Sequence, residues 1–243
     1  MGAKPFLLRI VLAAAVFFAG YAALLEFPQP LFPFSVRANS LVLRSDRVLP
    51  EGAGKHVLEL AEIRLERSPL YSRGRTHETF ICNERWRQII FFNKDYGAGG
   101  VAQYPATAHV FLREARIEDD RLLSPRGLPV MGERTLDYFV AHEITHQLTG
   151  EAIGPLLYYR LPRWVREGYA DYVSLGNSFD YSVAKGAFLA GAREMDFKKS
   201  GLYWRFHLMV AYLLDRQHWS VEQLLTHPPS QATVESAVRQ ENP

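Results

Sequence analysis

The chain has 243 residues, 48% of them hydrophobic and 22% charged, with 28 Lys and Arg against 26 Asp and Glu for a formal net charge of +2. That balance describes a globular protein, not a disordered one, and indicates no nucleic-acid or other polyanionic partner. A single cysteine, Cys82, excludes an intramolecular disulfide and is expected to be a small core residue.

The N-terminal stretch MGAKPFLLRIVLAAAVFFAGYAALLEF joins a basic start, Lys4 and Arg9, to an apolar run from Ile10 to Leu25. Counted from Phe6, with Arg9 snorkelling to the interface, the run suffices for a short membrane span. Gly20 and Ala22 equally suit a signal-peptide cleavage site. Residues 1–27 are therefore read as a signal anchor or a signal peptide. The chain is anchored in the membrane by residues 6–25 or secreted after cleavage, and the basic flank places residues 35–243 outside the cytoplasm. PQPLFPF, residues 28–34, is expected to be a stiff Pro-rich spacer. Residues 35–243 are enough for one domain with one core.

Within that domain, KHVLELAEIRLERSPLY at 55–71 carries Val57, Leu58, Ala61 and Leu65 on one stripe and predicts a helix. THETFIC and WRQIIFF, within 76–92, are rich in β-branched and aromatic residues and predict strands; GAGG at 97–100 predicts a loop. ATAHVFLREARI at 106–117 alternates as a strand should. From Thr135 onward the pattern is almost all helical, with Ser220, three before Gln223, and Ser230 as caps for the last helices. A sheet with a helix, followed by a mainly helical half, is an α+β arrangement.

The helical half carries the chemistry. In AHEITHQLTG, residues 141–150, His142 and His146 lie one turn apart, so both imidazoles project from one helix face and can reach one Zn²⁺. Glu143 sits about 100° around the helix, beside such a metal and not on it, where it can take a proton from a water that the metal acidifies. A catalytic zinc site uses three protein ligands and keeps a fourth position open. The H-E-x-x-H-x-x-G-x-x-H continuation fails here, because Thr149 and Ala152 stand at its glycine and third histidine. Downstream, LPRWVREGYADYVSLG at 161–176 reads as a helix that Pro162 opens and Gly176 closes. It offers Glu167 as third-ligand candidate and, four residues on, Asp171, which can accept the distal N–H of a ligating histidine.

The pairing of HEITH with WVREGYADY resembles the gluzincin zinc peptidases, the group of thermolysin and aminopeptidase N. The resemblance implies a thermolysin/aminopeptidase-like catalytic domain, with His142, His146 and Glu167 as zinc ligands, Glu143 as base and Asp171 behind the ligands. Trp164 and the E-G-x-A run are most similar to the aminopeptidase version; an acidic residue four past the ligand is more thermolysin-like. The resemblance also implies an edge strand that binds an extended substrate, for which residues 108–113 are the candidate, and an oxyanion donor from a later helix. In SGLYWRFHLMVAYLLDRQH, residues 200–218, Tyr203 is the first candidate for that donor and His207 the second. Tyr169, Tyr172 and Tyr212 are weaker ones. The expectation is an exported or membrane-tethered zinc peptidase acting on a peptide or protein substrate. The alternatives are a non-catalytic envelope protein that keeps the fold for binding, and an amide hydrolase acting on a non-protein substrate.

Overall fold

The computed structural model describes residues 3–241; the side chains of residues 3–7 and Lys94 lie outside that description, among them the Lys4 ammonium of the expected basic start. The chain runs α1 (Ala3–Glu26), β1 (Phe34–Ala38), β2 (Leu41–Ser45), α2 (Glu51–Leu65), β3 (His77–Cys82), α3 (Arg85–Phe92), β4 (Gly100–Ala102), β5 (Val110–Arg113), β6 (Ala115–Arg116) and β7 (Arg121–Leu122). The helical half continues as α4 (Leu136–Arg160), α5 (Arg163–Leu175), α6 (Tyr181–Leu189), α7 (Phe197–Ser200), α8 (Trp204–Ala211), α9 (Val221–Thr226) and α10 (Gln231–Gln240). The architecture is α+β: a five-stranded mixed sheet and a mainly helical half.

The sheet has the order β1-β2-β3-β5-β4, with β2, β3 and β5 parallel and β1 and β4 antiparallel on the two edges. Period-two alternation splits its side chains between two cores. Ile81 and Leu112 face α2 and α4 beside Leu41, Leu43, Leu58 and Ile144, whereas Phe80, Cys82 and Phe111 face Phe32, Phe91 and Phe92. Cys82 is fully buried, and burial pushes its thiol well above the ordinary range.

Two strand expectations are corrected. WRQIIFF forms α3: Gln88, Phe91 and Phe92 are buried at helical spacing while Trp86 and Ile89 remain exposed. Residues 108–113 do not supply the free edge, because β5 is paired on both sides, by β3 and β4. The edge strand next to it is β4, which begins at Gly100 inside the expected loop.

The spacer expectation also changes. Gln29–Leu31 form a 3₁₀ turn, and Phe32 is fully buried in edge-on and tilted contact with Phe80 and Phe91, so residues 28–34 are fastened to the sheet. Before them, the Leu8–Glu26 part of α1, 19 residues with mean hydropathy 2.1, is long and apolar enough to cross a membrane. Its last turns dock: Leu25 is buried, and the Tyr21 hydroxyl donates to the Ile90 carbonyl at 2.9 Å.

The α2 stripe is buried as expected, on the sheet and on α4. In the helical half, Ser220 and Gln223 form a reciprocal capping box, and Ser230 caps α10. At the start of α4, Asp120 accepts the Asp137 amide through Oδ1 at 3.2 Å and the Leu136 amide through its carbonyl at 3.0 Å, so two otherwise orphaned N–H groups are satisfied. Arg64 of α2 pairs with the Asp137 carboxylate and also reaches the Ser174 carbonyl, tying α2, α4 and α5 together.

Candidate metal centre and its cleft

The α4 helix is buried over Leu136–Gly150 and places His142 and His146 one turn apart, facing α5. Their Nε2 atoms are 3.2 Å apart, and Glu167 Oε2 of α5 lies 3.7 Å from the first and 3.5 Å from the second. Three donors of a tetrahedral site with bonds of about 2.0–2.2 Å are spaced about 3.3–3.6 Å apart, so the observed triangle has the dimensions of a metal site. The donor chemistry agrees. Two imidazole nitrogens and a carboxylate oxygen converge out of bulk water, where their lone pairs repel unless a cation lies between them. Burial alone would push Glu167 up, but His146 and His142 outweigh it and hold the carboxyl well below its usual range. Burial likewise pulls His142 down, yet Glu167 and Glu143 reverse the direction and raise it. Both shifts express the mutual stabilisation of the carboxylate and positive charge on the imidazoles beside it. His142, His146 and Glu167 form a buried group within metal-binding distance, compatible with a metal ion.

The groups behind the three donors fix their orientation. Arg166 Nε lies 3.8 Å from Glu167 Oε1, leaving Oε2 to face the histidines. His142 is held through a tyrosine. The Tyr138 hydroxyl donates to Asp171 Oδ1 at 2.5 Å and, with its proton so committed, accepts from His142 Nδ1 at 3.3 Å. Asp171 Oδ2 accepts from His207 Nδ1 at 3.2 Å. Asp171 therefore reaches His142 through Tyr138, where the sequence reading has it touching a ligating histidine directly. Tyr138 was missed: it stands one turn before His142, a spacing that a buried core tyrosine would share.

A cleft of about 780 Å³ opens over the three donors and is lined by His142, Glu143, His146 and Glu167, by Gly99–Tyr104 on one side, and by Tyr158, Arg163 and Tyr203 on the other. Glu143 lies between the donor cluster and β4. A Cβ on Gly100 would fall 2.6 Å from Glu143 Cγ and 2.8 Å from its Oε1, so only glycine lets the edge strand come this close. Burial raises the Glu143 carboxyl; His146, His142 and a hydrogen bond from the Ala102 backbone offset this in part.

Of the oxyanion candidates, Tyr203 lines the cleft, its ring parallel to His142 at 5.8 Å between centroids. His207 does not line it: it is buried behind Asp171, stacked at 3.6 Å on Phe179. The weaker candidates also lie elsewhere, with Tyr169 bonded to Ser68 at 2.7 Å, Tyr172 to Asp215 at 2.7 Å, and Tyr212 buried in the helical core. Tyr104, Tyr158 and Tyr159, which the sequence did not single out, bring further phenols to the cleft wall. Comparison with known proteins adds no assignment: no family model and no curated protein matches the sequence.

Proposed function

We propose that this chain is a zinc-dependent peptidase of the gluzincin kind, with its catalytic domain outside the cytoplasm. The observation that carries the reading is the position of Glu143, beside the His142, His146 and Glu167 donors and against an edge strand, in an open cleft. A purely structural metal site has a closed shell and no use for a buried carboxylate next to it. The donor set fits zinc, which when bound supplies Lewis acidity, polarising a carbonyl and lowering the pKa of water.

The chain's own residues perform the rest. Glu143, its carboxyl raised by burial towards the working pH of a general base, takes a proton from the attacking water and returns it to the leaving amine. Tyr203 donates a hydrogen bond to the oxygen on which negative charge develops. The free edge of β4, Gly100–Ala102, offers backbone groups to an extended peptide and holds it alongside Glu143. A five-stranded mixed sheet edged in this way, with the donor helices beneath, supports the thermolysin-like assignment of the fold.

The test is Glu143→Gln, which keeps size and helix preference but removes the proton acceptor. Zinc content and folding should match the unmodified protein while peptide hydrolysis falls by about 10²- to 10⁴-fold. Full activity in this variant sinks the mechanism. Equal zinc binding by both proteins, no hydrolysis by either, and equal complementation of a gene deletion would favour a binding scaffold instead.

A further inference from the structure

We propose that the cleft selects a substrate carboxylate, received by Arg163 together with Arg134; the inference rests on the hydrolase reading above and names its substrate class. Four guanidiniums line the cleft, those of Arg113, Arg134, Arg163 and Arg166, against three carboxylates, Asp95, Glu143 and Glu167. Two of those carboxylates belong to the reacting centre. Arg113 is buried and satisfied by the Tyr96 carbonyl at 2.5 Å and Gln88 Oε1 at 3.1 Å, and Arg166 attends Glu167. Arg134 and Arg163 form no ion pair among the described residues. Arg134 donates to the Gly201 carbonyl at 3.1 Å, and its Nε is buried with no partner.

Arg163 is held by stacking. Its guanidinium lies 4.3 Å over the Phe197 ring, Phe197 is parallel to Tyr203 at 4.9 Å, and Tyr203 is parallel to His142 at 5.8 Å. The guanidinium also lies 5.9 Å over the Tyr203 ring, and this aromatic seat leaves its N–H fork free for a planar bidentate acceptor. Both arginines border the segment from Phe197 to Tyr203, so both stand at that end of the cleft. Arg163, Phe197 and Tyr203 also line an adjoining side pocket of about 210 Å³, with Met195, Leu202 and Phe206 as its apolar walls and with Lys198 and Arg205 set against the one carboxylate of Asp196. Arg163 lines both the cleft and this pocket, so a substrate side chain entering the pocket passes beside its guanidinium. The β4 edge carries Gly100, Val101 and Ala102 and no acidic side chain to attract a substrate ammonium. An extended peptide advances about 3.3 Å per residue, so an acidic side chain or a free C-terminus one or two residues from the scissile bond reaches Arg163.

The experiment uses the full-length, zinc-loaded Glu143→Gln protein in detergent, which holds substrates without turning them over, and reads peptide affinity by fluorescence anisotropy. The probes are a neutral hexapeptide amide, its free-acid counterpart, and amides in which one Gln at a time becomes Glu. At least one acidic member should bind about 10- to 100-fold more tightly than the neutral parent. Adding Arg163→Gln should remove that advantage while changing affinity for the neutral parent less than twofold, a readout that loss of fold would not give. Preference for the free acid identifies a C-terminal carboxylate, and preference for a Glu amide an acidic side chain. Equal affinity across the set, no binding by any member, or an advantage that survives both Arg163→Gln and Arg134→Gln overturns the inference. Hydrolysis of the neutral parent by the unmodified protein, measured in parallel, separates this failure from failure of the hydrolase reading.

Discussion

Glu167 uses its two oxygens differently: Oε2 closes the donor triangle with His142 and His146, and Oε1 faces Arg166. The carboxylate thus arrives oriented, and removing it should abolish the site. Glu167→Ala should weaken zinc binding by more than the roughly 10- to 100-fold that partners behind the ligands contribute, whereas Glu151→Ala, which removes a surface partner of Arg75, should leave it unchanged. Zinc titration against a competing chelator checks both, and unchanged affinity in the Glu167 variant refutes its place among the ligands. Tyr138→Phe keeps the buried ring but removes the hydroxyl between His142 and Asp171, so it should cost about 10- to 100-fold in zinc affinity in the same assay. The convergence of His142 and His146 was legible because four residues is one helical turn, a relation fixed within α4 itself. The link through Tyr138 was not. That tyrosine becomes meaningful only once α5 brings Asp171 within reach, and its i−4 spacing from His142 equally describes a core tyrosine. His207 shows the converse: at helical spacing from Tyr203 it looked like a cleft residue, but the rotation of α8 aims it at Asp171 and Phe179.

Elements whose burial stripe was continuous in the sequence, such as α2 and α5, were legible; short elements were not. WRQIIFF carries a strand former at nearly every position, and only the docking of Phe91 and Phe92 against Phe32 and Phe111 shows it to be a helix. Which strand lies at the edge is likewise a non-local fact. Three residues, Gly100–Ala102, take that place because β5 has both its sides paired and the glycines permit close approach to α4. The start of α4 is set by Asp120, a residue at φ +49° in the turn between β6 and β7. Burial, and after it the neighbouring Asp137 carboxylate, pushes Asp120 up to about 6 from an ordinary value of 3.8. A raised carboxyl favours the folded state when protonated, so this contribution is complete below about pH 4 and is lost as pH rises through 6. Asp120→Asn keeps the side-chain oxygen that accepts the Asp137 amide and removes the charge. It should therefore be more stable than the unmodified protein at pH 7 by about 1–2 kcal/mol after allowance for partial exposure, with the gap closing towards pH 4. Urea denaturation at the two pH values checks this, and a gap that widens on acidification contradicts the assignment.

At the scale of the molecule, the apolar helix and the helical half meet through the sheet. Leu25 and Tyr21 at the end of α1 pack with Phe32, Phe91 and the Ile90 carbonyl, Glu26 offers its carbonyl to His109 at 3.1 Å, and His109 precedes β5, the strand that carries the edge strand β4. If α1 spans a bilayer, the docked segment of residues 28–34 leaves no flexible leash between it and the sheet, so the cleft stands at a fixed height above the lipid. If α1 is instead cleaved, Leu25 and Tyr21 leave the aromatic cluster partly uncovered, which costs apolar burial on the order of 25 cal/mol per Å² and argues for retention. Orientation is set by charge. Arg9 at the start of the apolar run, with no basic residue from Ile10 to Phe34, favours a cytoplasmic N-terminus. A reporter that works only after export, fused behind Pro243, should be active, and one that works only in the cytoplasm should be silent at the same junction. Replacing Arg9 with Glu and moving two lysines to positions just after Phe27 should weaken or reverse that bias. Activity of the cytoplasmic reporter in the unmodified fusion would place the cleft on the other face of the membrane and overturn the extracytoplasmic reading while leaving the metal centre untouched.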